Sequence, residues 1–259
     1  MTQRFLRAAL CTVSLLGAAA PAADALYRPL PWPERTVNAV EFVERRAGVE
    51  SFAYIDQRGT LRGYRRWRVA PSASVLKPML MVAYLNLASV RNRELTDSDR
   101  ALLGPMIRRS DNVTAGIVLN TVGAAGLYRV ARRSDMRHFR LHTPVWGMTE
   151  ITAADQARFF YRIDSYVPRR HRAYARYLLS HIVRSQRWGI PPEVPSGWRV
   201  FFKGGWASGT GRVTHQVALL QDHDRRMAIA VLTEFNPSHD YGVRTIRGVA
   251  SRLLRVPLP

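Results

Sequence analysis

Apolar and polar positions along the chain divide it into segments of helical and of strand period. The most apolar run is Met79 to Leu87, where Met79, Leu80, Val82, Ala83, Leu85 and Leu87 read as a buried helix. Upstream, Thr36 stands as a cap for a helix running to about Arg46, with Val37, Val40 and Val43 on one face and Gly48 after its end. Ser51 to Asp56 alternates as a strand, Gln57-Arg58-Gly59 turns the chain, and Leu61 to Val69 is expected to return as a second strand. Downstream, Thr96 caps a helix from Ser98 to about Ile107. An apolar helix covers Val113 to Asn120, a break falls at Gly123 to Gly126, and a short helix covers Leu127 to Arg133. Arg137 to Met148 has no clean period and reads as loop. Helices are expected from Ala153 to about Ile163, capped by Thr152, and from about His171 to Val183, before a Pro-rich linker from Trp188 to Gly197. The period then changes. Strands are expected at Trp198 to Phe202, His215 to Leu220 and Met227 to Glu234, followed by a closing helix from Tyr241 to Leu254. The order predicts an α/β (α+β) fold. Its antiparallel sheet of five strands is built from both chain ends, segments 36–77 and 198–259, with a helical lobe, about 78–197, inserted between.

Composition adds a length of 259 residues, enough for one large domain over 26–259, and an apolar content of 47%, that of a globular protein. The net charge of +20 favours anionic surroundings, such as an acidic cell-wall polymer or a membrane surface. The arginines are spread along the chain without a basic run or nucleic-acid motif, so no nucleic-acid partner is expected. The seven histidines show no metal-ligand spacing, so neither a metal nor another cofactor is expected.

Residues 1–25 read as an export signal. Arg4 and Arg7 precede an apolar stretch from Ala8 to Ala20, and Ala23-Asp24-Ala25 fits a cleavage site before Leu26. The single cysteine, Cys11, would leave with that segment, and Leu10 before it spoils a lipoprotein signal. The expected location is therefore secreted, in the cell envelope, with a retained N-terminal anchor as the alternative. No later segment reads as long and apolar enough to span a membrane.

The candidate chemistry lies just before the apolar run, at Ser74-Val75-Leu76-Lys77-Pro78. Residues three apart share a helix face. Pro78 lacks the N–H that would bond back to Ser74, which places Ser74 at a helix N-terminal edge. There the helix dipole and burial both disfavour an ammonium, so Lys77 is set to lose its proton and to accept one from the serine hydroxyl. Ser72 and Ser74 also fit a plain helix cap. The composition separates these readings. Of the 39 basic residues only Lys77 and Lys203 are lysines. Arginine cannot give up its proton in a protein, whereas lysine can. The two positions that kept lysine therefore mark places expected to require a compact or titratable ammonium.

Ser74-x-x-Lys77, Ser110-Asp111-Asn112 and Lys203-Gly204-Gly205 occur in this order. The set resembles the S-x-x-K, S-D-N and K-T-G elements of class A β-lactamases and penicillin-binding proteins, the penicillin-recognising serine hydrolases. The resemblance covers nearly all of the chain after residue 25 and implies a β-lactamase/transpeptidase-like fold. It also implies roles. Ser74 attacks a carbonyl, Lys77 is its base or part of its proton relay, Ser110 passes a proton to the leaving nitrogen, and Lys203 sits behind Ser110, tuning the relay and attracting a carboxylate. Asn112 binds the substrate amide, and the Ser74 and Trp206 N–H groups, beside Gly205, hold the oxyanion. Read alone, Ser110-Asp111 is also a helix cap and Lys203-Gly204-Gly205 a strand end.

This chain departs from the pattern in three ways. Gly204 replaces a hydroxyl residue that the resemblance assigns to a substrate carboxylate, a role open to Ser208, Thr210 or Arg212. The spacing from Ser74 to Ser110 is short, which trims the helical lobe. No glutamate stands in the stretch Asp135 to Leu141, where a deacylating base is expected; Glu150 is the candidate, and it fits a helix-entry charge equally. His215 lies on a strand near the cleft and reads as a structural histidine. Three functions follow for comparison: an acyl-enzyme-forming hydrolase of β-lactams or related amides, a D,D-carboxypeptidase-like peptidase of the cell wall, and a non-catalytic or acyl-trapping binding protein. N-terminal sequencing of the exported protein is expected to give a start near Leu26 and no thiol; a product that still contains Cys11 would contradict the cleavage reading.

Overall fold

The computed structural model describes residues 32–207 and 212–255. Residues 1–25, expected to be an export signal, and Ser208 and Thr210 lie outside the described residues. The first helix, α1 (Trp32–Glu44), leads into β1 (Val49–Ile55) and β2 (Leu61–Tyr64). β3 (Val69–Pro71) is followed by a 3-10 turn, Ala73–Leu76, and by α2 (Lys77–Leu85). Then come α3 (Asp97–Arg108), α4 (Asn112–Arg133), β4 (Glu150–Thr152), α5 (Ala153–Tyr161), α6 (Ile163–Tyr166) and α7 (Arg172–Ser180). The chain closes with β5 (Arg199–Ala207), β6 (Val213–Asp222), β7 (Arg225–Glu234) and α8 (His239–Leu254).

The five-stranded antiparallel sheet has the order β2-β1-β7-β6-β5. Strands from the two chain ends meet where β1 pairs β7, with Phe52 opposite Val231. The helical block from α2 to α7 stands between them in sequence. β5 forms one edge of the sheet, and its free edge is where the Ser74 turn docks. Every residue of α2 from Lys77 to Leu85 is buried, so the helix is apolar all round apart from its first residue.

Several local expectations change. Thr36 lies inside α1, where its hydroxyl donates to Trp32 O at 2.7 Å; the helix starts four residues earlier and Thr36 caps nothing. Leu61 to Val69 is not one strand. Its apolar members Leu61, Tyr64 and Trp67 are three apart, whereas strands repeat every two residues, and Arg65 has a left-handed φ of 44° that ends β2. β3 instead pairs with β4 in a separate two-stranded ribbon. α4 runs on from Asn112 through the expected second helix, with the break confined to Gly123 at φ 62°, ψ 177°. By length and composition α4 is apolar enough to cross a membrane, which the reading of the sequence did not count. It is broken at Gly123 and places Ala115, Val118, Val122, Leu127 and Val130 in the core. β5 continues through Lys203-Gly204-Gly205 instead of stopping at Phe202.

His215 on β6 ties the sheet to the ribbon that carries the Ser74 turn. It is fully buried; Nε2 lies 2.8 Å from Pro71 O and Nδ1 accepts the Thr233 N–H at 3.0 Å. That pairing fixes the neutral tautomer protonated on Nε2. Burial lowers its pKa to about 4 from the usual 6.5, against hydrogen bonding to the backbone of Pro71 and Thr214, which raises it. The unfolded chain therefore binds a proton that the folded one refuses. The stabilising contribution is complete above pH 6.5 and is lost as pH falls towards 4, to a total of ~3 kcal/mol. The melting temperature is expected to drop across that window. His215→Gln, which keeps a donor but cannot titrate, should start lower and fall less; an equal fall in both proteins would remove His215 as the cause.

Candidate active site

α2 begins on a buried lysine. Pro78 occupies the first turn, where a missing N–H costs nothing. The turn before it holds Ser74 half-buried at the surface of the core, and Ala73 just ahead has a strained φ of 44°. This turn is pinned on one side by Ser72 N–H, which donates to Thr149 O at 2.7 Å. On the other side β5 presses against it. A Cβ added to Gly205 would lie 2.8 Å from Ser74 N and 2.9 Å from Val75 N, so only glycine allows this approach.

Ser110 reaches the site from the start of α4. Asp111 caps that helix, accepting from Thr114 N at 2.7 Å and from Thr114 Oγ1 at 2.8 Å. Ser110 is left in the left-handed region at φ 61°. Its hydroxyl and its carbonyl both contact Lys77. The cap and the candidate proton carrier are thus one device. The helix cap fixes the backbone, and the strained residue before it presents the serine.

Lys77 Nζ is the centre. It lies 3.0 Å from Ser74 Oγ, 3.2 Å from Ser110 Oγ and 2.8 Å from Asn112 Oδ1, and it donates to Ser110 O. The Trp146 ring centroid is 5.2 Å away. Lys203 Nζ approaches the same Ser110 Oγ from β5 at 2.9 Å and donates to Gly204 O at 2.7 Å. Both lysines are fully buried. Burial lowers the Lys77 pKa to about 8, partly opposed by the negative charge of Asp111. Burial, and then the charge of Lys77, pushes Lys203 well below the usual lysine value. A neutral Lys77 amine has two protons and one lone pair. Ser110 O and Asn112 Oδ1 can accept the protons, which leaves the lone pair for the Ser74 hydroxyl. The arrangement can take a proton from Ser74 and hand one to Ser110.

The structure brings Ser74, Lys77, Ser110, Asn112, Lys203 and Gly205 together, with Trp206 next along β5. Glu150 is placed elsewhere. Its carboxylate lies 3.0 Å from His142 Nε2 and 3.9 Å from Arg140 Nη1, and it has no hydrogen bond to Ser74 or Lys77. Among the described residues no carboxylate hydrogen-bonds Ser74, Lys77 or Ser110. Arg212 donates to Pro237 O at 3.0 Å and lines a cavity beside Trp206. Among the described residues no cluster of three His, Cys, Asp or Glu could hold a metal. Three contributors were not singled out from the sequence: Trp146 over Lys77, Asp111 as its nearby charge, and Trp188 against Gly204. Asp111 was visible as a cap. The two tryptophans fall in segments without period, where no pattern announces a contact.

The geometry agrees with comparisons to known proteins. Three β-lactamase structures share the fold. One from Sphaerobacter thermophilus has a TM-score of 0.75 at 20% identity, covering 86% of this chain and 96% of its own. One from Xanthomonas campestris pv. campestris has 0.74 at 16%, covering 86% and 97%. An ancestral class A β-lactamase (GNCA) has 0.71 at 18%, covering 84% and 98%. At these identities the likeness establishes the fold. No curated protein matches the chain in sequence. A family model described as the beta-lactamase enzyme family matches residues 96–256, more than half of the 259. That match includes Ser110, Asn112 and Lys203 and starts after Ser74 and Lys77; the structure joins the two parts through Lys77 Nζ, 3.2 Å from Ser110 Oγ and 2.8 Å from Asn112 Oδ1. The chain belongs to the beta-lactamase enzyme family, as a serine hydrolase of the β-lactamase/penicillin-binding class.

Proposed function

We propose that the protein is exported and acylates Ser74 with β-lactams, releasing the product slowly. One observation carries this reading: the buried Lys77 amine within hydrogen-bond distance of Ser74, Ser110 and Asn112. Ser74 Oγ bonds to the lactam carbonyl carbon, and its proton goes to Lys77 Nζ. The C–N bond then breaks as a proton passes through Ser110 Oγ to the nitrogen. Lys203, behind Ser110, supplies the donor that holds Ser110 Oγ in line. The N–H groups of Ser74 and Trp206 face the carbonyl oxygen as it gains charge.

Hydrolysis of the Ser74 ester needs a second base to deprotonate water. With Glu150 on His142, that task falls to Lys77, which is neutral again once its proton has reached the leaving nitrogen. This supports a second reading, in which the protein traps acyl groups and turns over little. The cell-wall peptidase reading uses the same Ser74 chemistry and differs in the substrate.

The test is intact mass of the protein with a labelled penicillin, followed over time. One adduct on Ser74 that decays over many minutes is expected, and Ser74→Ala should form none. Lys77→Arg keeps the charge but cannot accept a proton, so acylation should slow by at least ~10²-fold, with the melting temperature as the control for folding. The reactive form of Lys77 is the neutral amine. Acylation per concentration should therefore rise with pH up to about 8 and level above it. A pH-independent rate, or parent-rate acylation of Lys77→Arg, would discard Lys77 as the base. Gly205→Ala should separate positioning from folding. Its methyl would push on the Ser74 and Val75 N–H groups, and a displacement of this size costs ~10² in rate. Acylation at the parent rate would show that the contact is soft.

A further inference from the structure

Gly204, the residue that departs from the K-T-G pattern, is explained by one neighbour. A Cβ at this position would lie 2.9 Å from both Cζ2 and Cη2 of Trp188. The indole occupies the space where a hydroxyl side chain would stand. It is held there by Gln216, whose Nε2 donates to Trp188 O at 2.7 Å while its Oε1 accepts from Ile190 N at 2.6 Å. Trp188 meets Trp206 edge-on, centroids 5.9 Å apart at 74°, and His239 at 5.3 Å and 82°. The Trp206 and His239 rings are 5.6 Å apart. Three rings from three separate segments thus converge beside β5. Trp206 and His239 form a wall of a cavity of about 300 Å³, with Val213, Pro237 and Arg212 among its other lining. Trp206 remains 39% exposed, although it follows directly on Gly205, which presses against the Ser74 turn.

We propose that this cavity is a subsite for an uncharged aromatic group of the substrate, carried next to the bond that Ser74 attacks. The inference rests on the acyl-enzyme reading for the place of that bond. The faces that Trp206 and His239 turn to the cavity offer a further ring stacked or edge-on contact. The lining combines apolar Trp206, Val213 and Pro237 with polar Arg212, Thr214 and Ser238, a mix usual for a small-molecule site. A carboxylate has little to bind here. Lys203 gives protons to Ser110 Oγ and Gly204 O, and Trp188 has taken the hydroxyl's place. His239 is turned to Thr214, its Nδ1 3.1 Å from Oγ1, and burial lowers its pKa, which keeps the ring neutral. Arg212 is the one cation in the lining, and it donates to Pro237 O.

The experiment compares benzylpenicillin with its benzyl ester, in which the carboxylate loses its charge and carries a second aromatic ring. The ester is expected to acylate Ser74 at least ~10-fold faster per concentration, a preference of the size a hydrophobic pocket supplies. Trp206→Ala should erase that preference, and Arg212→Ala should leave it. Gly204→Thr alone collides with Trp188, so the informative variant is Trp188→Ala with Gly204→Thr, which should shift the preference towards the acid. Faster acylation by the acid, an unchanged ratio in Trp206→Ala, or a lost preference in Arg212→Ala overturns the subsite. If neither compound labels Ser74, the acyl-enzyme reading fails, and equilibrium binding to Ser74→Ala, read by tryptophan fluorescence, still decides. Saturable quenching by the ester at tenfold lower concentration than by the acid supports the subsite, and any other order overturns it.

Discussion

Two buried amines share one serine hydroxyl, and the structure is arranged around what that costs. Lys77 and Lys203 approach Ser110 Oγ at 3.2 and 2.9 Å, both without solvent contact. Two ammoniums so placed would repel each other at close range with little water to screen them. Each lysine also loses the hydration that favours its charge. At least one is therefore driven towards the neutral form, and a neutral amine beside a serine hydroxyl is a base. The arrangement needs no metal and no histidine for that purpose. It needs the amines to be dry and held still.

The holding is done by backbone. His215 links β6 to Pro71, Thr149 links the β4 side to Ser72, and Gly205 brings β5 against the Ser74 and Val75 amides. The Asp111 cap sets Ser110, at a left-handed φ that an ordinary serine avoids. Such strain persists only where the surroundings fix it. The positions of Ser74 and Ser110 are thus consequences of sheet register and helix capping, and the side chains need few adjustments of their own. Asp111 has a second effect. Its charge partly restores the Lys77 ammonium, so Lys77 is left near 8, where both its forms are accessible at neutral pH.

Much of this was legible in the sequence because the determining signals are local. The apolar run after Lys77, the Asp111 cap and the alternation of β6 and β7 each belong to one element. The five-stranded antiparallel sheet followed from element order. The surviving lysines pointed to the site for a chemical reason, since arginine fills every other basic position. What could not be read depends on contacts between distant segments. Trp146 and Trp188 lie in stretches without period, and nothing in their neighbours says that one covers Lys77 and the other fills the space at Gly204. The Leu61 to Val69 error came from reading a three-residue spacing as a strand, and Thr36 from assuming that the first possible cap is the one used.

The same distinction bears on substrate. On the proposed reading, Ser74, Lys77, Ser110 and Lys203 carry one reaction: an acyl group accepted by a serine with a lysine as base. They say little about which acyl compound arrives. Selection rests on the walls, and the walls here are Trp146, Trp188 and Trp206, supplied by loops and by the outer face of an edge strand. Loops and strand edges can change with little effect on the core, because few buried contacts depend on them. A glycine at position 204 and a tryptophan at 188 must change together, since any side chain at the first collides with the second. On the proposed reading the chemistry rests on the two buried amines, and a side chain at position 204 can enter only where Trp188 gives way.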